Sequence, residues 1–175
     1  MVGLTEQRGQ MAFFVNDHHD EWSSFNRNIA SRGHPVREIL VETITTTDIF
    51  SAYGVPRYIK IDIEGYDHVP VLAIAKHSVR PKFVSFENGE MHLFEALVKT
   101  GYTKFQIINQ ALVPYAACPI PAKEGKTINN TFIIGSSGPF GLDLLGEWLS
   151  VDQMRIRLEE HLNVVGELSF YRLLV

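Results

Sequence analysis

Cysteine is nearly absent. Cys118 stands alone among 175 residues, so no disulfide can close within the chain, and no Cys or His lies near it at metal-ligand spacing. It reads as an inert loop thiol, and a chain that does without disulfides fits a reducing, cytoplasmic compartment. Long apolar runs are also missing: none approaches the roughly 20 residues that a bilayer crossing needs, so no membrane partner is expected. Met1 to Met11 lacks the basic start and apolar block of a signal peptide. There is no basic stripe or arginine-rich run and the formal net charge is −4, which argues against a nucleic-acid partner. The seven histidines are scattered, with His18-His19 the only adjacent pair. Finally, the only glycines before Tyr58 are Gly3, Gly9, Gly33 and Gly54, so no Gly-x-Gly cluster precedes it to cradle a phosphate.

What is present is an ordinary globular composition, 45% apolar and 21% charged, in a chain long enough to bury a core. It is organised around Tyr58-Ile-Lys-Ile-Asp-Ile-Glu-Gly65. Ile59, Ile61 and Ile63 alternate with Tyr58, Lys60, Asp62 and Glu64, the period of an extended strand. Gly65 breaks that strand, and Tyr66 to Val79 carries apolar residues at helical spacing, with Pro70 early, where a missing N–H is tolerated. Asp62 and Glu64 thus sit at the carboxyl end of a strand, where open α/β sheets place their ligands. The polar face has a second reading, as the solvated side of an antiparallel strand.

Upstream, Gly9 to Val15 predicts a strand, Asn16 to Ser24 a polar loop ending in Trp22-Ser23-Ser24, and Phe25 to Gly33 a short helix or irregular segment. Glu38 to Thr45, rich in β-branched residues, predicts a second strand. Thr46-Thr47-Asp48 offers caps for a short helix that Gly54 stops. Downstream, Lys82 to Glu87 predicts a strand, Asn88-Gly89 a turn, Glu90 to Thr100 a helix, and Tyr102 to Asn109 another strand. Gln110 to Thr127, with three prolines, predicts a long loop, and Asn130 to Ile134 a last strand. In the tail, Ser150 to Gln153 matches a capping box ahead of a helix with Val151, Met154, Leu158 and Leu162 on one side. This alternation of strands and helices predicts an α/β fold with a mainly parallel sheet covered on both faces, in which Lys60, Asp62 and Glu64 are hard to explain as a solvated face.

Several of these stretches together resemble FkbM-type S-adenosylmethionine-dependent methyltransferases. The resemblance rests on Thr45-Thr-Thr-Asp-Ile-Phe50 followed by Gly54 and Pro56, on Tyr58 to Gly65, and on Val84-Ser-Phe-Glu87, with Gly3-Leu4-Thr5 to Gly9 and Ser23-Ser24 similar to the stretch upstream. It covers residues 3 to 135 and weakens in the tail. It implies the seven-stranded Rossmann-like methyltransferase sheet, mainly parallel with an antiparallel final strand, and S-adenosyl-L-methionine as cofactor. The substrate it implies is a hydroxyl of a sugar or secondary metabolite. The missing glycine-rich loop departs from that fold. The expectation is therefore a carboxyl-terminal portion of the domain over 1–140, inactive and a weak cofactor binder by itself, with a helical tail over 141–175. The alternative is a non-catalytic half-domain acting as an interaction module, self-associating through an exposed sheet edge at Tyr58 to Ile63.

Methyl transfer from a sulfonium to a hydroxyl needs alignment of the two reactants and removal of a proton. Asp62 is the candidate base, also placed near the cofactor, and Glu64 can orient it or hold a substrate hydroxyl. Two close carboxylates also push one pKa upward. Glu64 has a second reading, as a cap for the following helix. Glu87 and Asn88 are candidate substrate contacts, Lys60 can pair with Asp62 or Glu87, and Trp22, Ser23 and Ser24 are candidate cofactor contacts. Asp62, Glu87 and Asn88 also resemble the magnesium site of catechol-type O-methyltransferases, but the FkbM resemblance implies no metal and none is assigned.

Overall fold

The structure, a computed structural model, describes residues 2–87, 90–127, 129–134, 136–144, 146–165 and 171–175. In chain order the first elements are β1 (Val2–Leu4), β2 (Gly9–Val15), α1 (Arg27–Ser31), β3 (Arg37–Ile44) and α2 (Thr46–Tyr53). Then come β4 (Tyr58–Ile61), α3 (His68–Lys76), β5 (Phe83–Glu87) and α4 (Met91–Lys99). The last are β6 (Gln106–Asn109), α5 (Val151–Val165) and β7 (Tyr171–Leu174). Internal contacts divide the chain into two units, Met1–Pro56 with Ile61–Pro81, and Arg57–Lys60 with Lys82–Val175.

In the first unit, β3 is the centre of a three-stranded mixed sheet in the order β1-β3-β2. β2 runs antiparallel to β3 from Gly9 opposite Thr43 to Val15 opposite Arg37, and β1 runs parallel to it, Leu4 opposite Ile44. The threonine-rich stretch caps α2 as expected, but the N-cap is Thr45, predicted to end the strand, and Thr46 and Thr47 already lie in the helix. Thr45 Oγ accepts from the Asp48 N–H at 3.1 Å while the Asp48 carboxylate accepts from the Thr45 N–H at 2.9 Å, a full capping box. Gly54, at φ +80°, ends α2. α2 packs against α3, with Phe50 buried on α2 and Val69, Val71 and Ile74 buried on α3.

In the second unit a four-stranded sheet has the order β4-β5-β7-β6. β7 runs antiparallel to both β5 and β6. α4 buries Leu93, Phe94 and Leu97, the one-face spacing of an amphipathic helix, and Phe94 meets Phe105 edge to face at 4.8 Å. α5 buries Met154 and Leu158, and its predicted capping box is formed: Ser150 N–H donates to Gln153 Oε1 at 2.8 Å and Gln153 N–H to Ser150 Oγ at 3.4 Å. Arg155 joins α5 to α4 through Glu95 at 2.7 Å, which holds the Glu95 carboxyl below the ordinary range.

The chain is therefore α/β, with three corrections to the predicted elements. The strand expected over Asn130–Ile134 is not formed: among the described residues it pairs with no strand, Ile133 and Ser136 bond each other in a turn, and Ile133 and Ile134 are exposed. The place between β5 and β6 is taken instead by β7, from the tail read as helical, because pairing partners are chosen across the fold rather than along the chain. The central strand stops at Ile61 rather than Ile63, and Lys60 and Asp62 are exposed. Burial of a two-faced sheet is therefore not what explains those charges. Among the described residues no helix is long and apolar enough to cross a membrane.

Candidate functional site

The turn after β4 is built by its own backbone. Glu64 and Gly65 both have positive φ, +43° and +84°. Gly65 is favoured by that φ, and a Cβ there would also push aside the end of the Ile29 side chain, whose Cδ1 lies 2.1 Å from it. Asp67, buried, turns its carboxylate back to accept from the Ile63 N–H at 2.9 Å, closing the loop ahead of α3. Asp67, not Glu64, is the residue that opens α3, so Glu64 is not that helix's cap.

Glu64 is engaged elsewhere. Its carboxylate pairs with the Arg32 guanidinium at 2.5 Å, and its carbonyl accepts from Ser24 Oγ at 2.6 Å across 40 residues of sequence. Ser24 is buried, exchanges both backbone bonds with Phe14, and also accepts from the Asn26 N–H at 3.0 Å. Ser23 Oγ accepts from the Asn16 N–H at 3.1 Å. Trp22 closes a short 3-10 turn, with its ring stacked on His19 at 3.9 Å and the Arg32 guanidinium 5.0 Å from its centroid. The structure therefore brings Trp22, Ser24 and Glu64 into one cluster through Arg32, a residue the sequence reading did not single out. Asp62 stands exposed just beyond β4. Beside the turn, burial and the negative charge of Glu6 push the Tyr66 hydroxyl up, and its ring packs against Phe25 at 5.2 Å.

Glu87 ends β5 in the other unit, half-buried, and accepts from Gln110 Nε2 at 2.7 Å. Asn88 lies outside the described residues. Among the described residues no group of three His, Cys, Asp or Glu stands close enough to hold a metal ion.

A second feature of the first unit carries none of these residues. A cleft of about 330 Å³ lies at the carboxyl ends of the parallel strands β1 and β3. Its walls are Thr5 and Glu6 after β1, Thr45 to Thr47 at the start of α2, and the side of α3 from His68 to His77. Neither Trp22, Ser23, Ser24, Asp62 nor Glu64 lines it. Thr5 N–H continues the strand ladder to the Ile44 carbonyl at 3.0 Å, and the Thr5 and Thr43 hydroxyls both donate to the Gln7 carbonyl, which fixes the loop on that wall. The signal in the sequence was the threonine run directly after a β-branched strand, read there only as helix caps.

Compared with known proteins, the chain matches no family model, no curated protein and no solved structure.

Proposed function

We propose that this chain is part of an S-adenosylmethionine-dependent O-methyltransferase of the FkbM type, built on the seven-stranded Rossmann-like sheet, which methylates a hydroxyl of a sugar or secondary metabolite. The observation that carries this reading is the bond from Ser24 Oγ to the Glu64 carbonyl. It ties the Trp22 to Ser24 loop to the turn that follows the central strand, the two stretches that the resemblance assigns to one cofactor site. Within that set the roles divide by exposure. Ser24 is buried and its hydroxyl already serves Glu64 and Asn26, so it positions the loop rather than touching ligand. Arg32 holds Glu64, which makes Glu64 an anchor of the turn. Asp62, exposed at the end of β4, is the carboxylate assigned to the reacting hydroxyl. The fit at Trp22 is conditional: a base stacking there takes the place of His19 on the ring.

In the reaction the cofactor supplies an electrophilic methyl on a sulfonium. Asp62 would accept the proton of the substrate hydroxyl as that oxygen takes up the methyl group. Calorimetric titration of the full-length parent enzyme with S-adenosylmethionine, coupled to a methyl-transfer assay, is the test. Asp62→Asn is expected to lower transfer about 100-fold or more while leaving cofactor binding nearly unchanged. Trp22→Ala is expected to weaken cofactor binding about tenfold, the low end of a stacking contact. A parent protein that gives no heat with the cofactor and transfers no methyl group would support the interaction module instead. Transfer at an unchanged rate in Asp62→Asn removes Asp62 from the reaction.

A further inference from the structure

The cleft at the ends of β1 and β3 has the makings of an anion site that is separate from the Asp62 turn and independent of the methyltransferase reading. Four observations converge on it. First, β1 and β3 are parallel and both end at its rim, the place where parallel strands deliver ligands to the helix that follows. Second, that helix, α2, turns its N-terminus into the wall, and the N–H groups of Thr46 and Thr47 in its first turn have no acceptor within the helix. Third, Thr46 lines the cleft at 2% exposure, and its Oγ1 is buried with no hydrogen-bond partner among the described residues. An orphaned buried hydroxyl is destabilising, and natural folds retain few of them without a use. Fourth, Lys76 lines the same cleft and has no ion pair among the described residues.

The charges already present are arranged to favour an added anion. Asp48, the acid nearest the α2 N-terminus in sequence, is committed to Arg8 at 2.6 Å and to the Thr45 N–H, so it neither fills the cleft nor opposes a ligand there with an uncompensated charge. His77 is turned to its own strap, with Nδ1 on the Val79 carbonyl at 2.6 Å and its ring edge-on to Phe50 at 5.3 Å. Glu6 is the one acid in the lining. A carboxylate accepts from hydroxyls, so Glu6 suits the neutral polyhydroxyl body of a ligand whose anionic end lies at α2. The volume is at the small end of small-molecule pockets, enough for a phosphorylated sugar and too little for a dinucleotide.

We infer that this cleft binds a small phosphate monoester, its phosphate held by the Thr46 and Thr47 N–H groups, the Thr46 hydroxyl and Lys76, with hydroxyls of its body toward Glu6.

The test uses the full chain, with amide shifts followed by nuclear magnetic resonance during titration with inorganic phosphate, glucose 6-phosphate and glucose in parallel. Saturable shifts centred on Thr46 and Thr47 are expected with phosphate, and at several-fold lower concentration with glucose 6-phosphate, with none from glucose. Lys76→Gln and Thr46→Val are each expected to weaken glucose 6-phosphate about tenfold, as the loss of one charge-assisted hydrogen bond does. Glu6→Gln is expected to narrow the gap between glucose 6-phosphate and phosphate. Shifts that do not saturate, that spread over the surface, or that persist unchanged in both Lys76→Gln and Thr46→Val overturn the proposal. Thr46→Val keeps the shape of threonine and both variants leave the Thr45–Asp48 capping box in place, so a folded protein is available for each titration.

Discussion

The turn after β4 and the cleft at the start of α2 belong to the same unit, and they treat polar groups in opposite ways. At the turn, polar groups are spent on one another. Ser24 bonds the Glu64 carbonyl, Arg32 takes the Glu64 carboxylate, and Asp67 takes the Ile63 N–H. At the cleft, the Thr46 hydroxyl has no partner among the described residues, and neither does the Lys76 ammonium. A region whose hydrogen bonds are complete holds its shape without help, whereas a region with orphaned groups gains from a ligand that completes them. The turn is thus held by its own hydrogen bonds, whereas the cleft keeps a buried hydroxyl without a partner among the described residues.

That contrast can be broken by mutation, beginning where the largest change is expected. Ser24→Ala removes a buried hydroxyl that serves both the Glu64 carbonyl and the Asn26 N–H, and should cost about 2 kcal/mol in urea unfolding. A loss below about 0.5 kcal/mol would mean that the loop and the turn are not held by this bond. Gly65→Ala puts a side chain at φ +84° and against the end of the Ile29 side chain, and should cost about 1–2 kcal/mol. Repeating it in an Ile29→Val background should recover only the steric part, leaving the backbone part. In the cleft the sign reverses. Thr46→Val replaces an unpartnered hydroxyl by a methyl of similar shape and should stabilise the ligand-free protein by about 1 kcal/mol. Destabilisation of similar size would show that the hydroxyl is satisfied in solution.

The smallest effect belongs to the acid that closes α2. Hydrogen bonds from Arg8 and from the Thr45 N–H hold the Asp48 carboxyl well below its ordinary range. A carboxyl with a lower pKa in the folded state binds fewer protons there than in the unfolded chain. Its contribution is therefore complete above the unfolded value, near about 4, and drains away as the pH falls below that toward the depressed folded value. Urea unfolding of wild type and Asp48→Asn between neutral and strongly acid pH should show two curves that differ at neutrality and converge at the acid end. Curves that stay parallel down the acid limb would remove Asp48 as a source of acid sensitivity.

Much of the fold was legible because its signals are local. β2, β3 and β5 lie within a residue of the alternating or β-branched runs that announce them, the capping box at Ser150 is formed by the side chains three residues apart that the sequence displays, and the cap of α2 falls at Thr45, one residue before the predicted stretch. The tight turn at Gly65 was likewise readable from a glycine following an alternating run. Illegible were the features that depend on what lies across the fold. Asn130–Ile134 has strand composition but no partner strand among the described residues, whereas Tyr171–Leu174 has two partners, β5 and β6. Nothing in either segment says which will be chosen.

The candidate site divides along the same line. Asp62, Glu64 and the Trp22 to Ser24 loop were visible as polar residues at a strand end and in a polar loop, but their connection through Arg32 and the Ser24 hydroxyl was not. The cleft was not visible at all, because Thr5, Thr46 and Lys76 come from three separate segments and share a wall only when β1 and β3 end side by side. By itself the sequence determined where helices and turns begin and stop, since those are settled by side chains within a few residues of the backbone groups they serve. The tertiary structure alone decided which strand filled the second sheet and which polar groups were left without partners, since burial and pairing are properties of the whole packed chain.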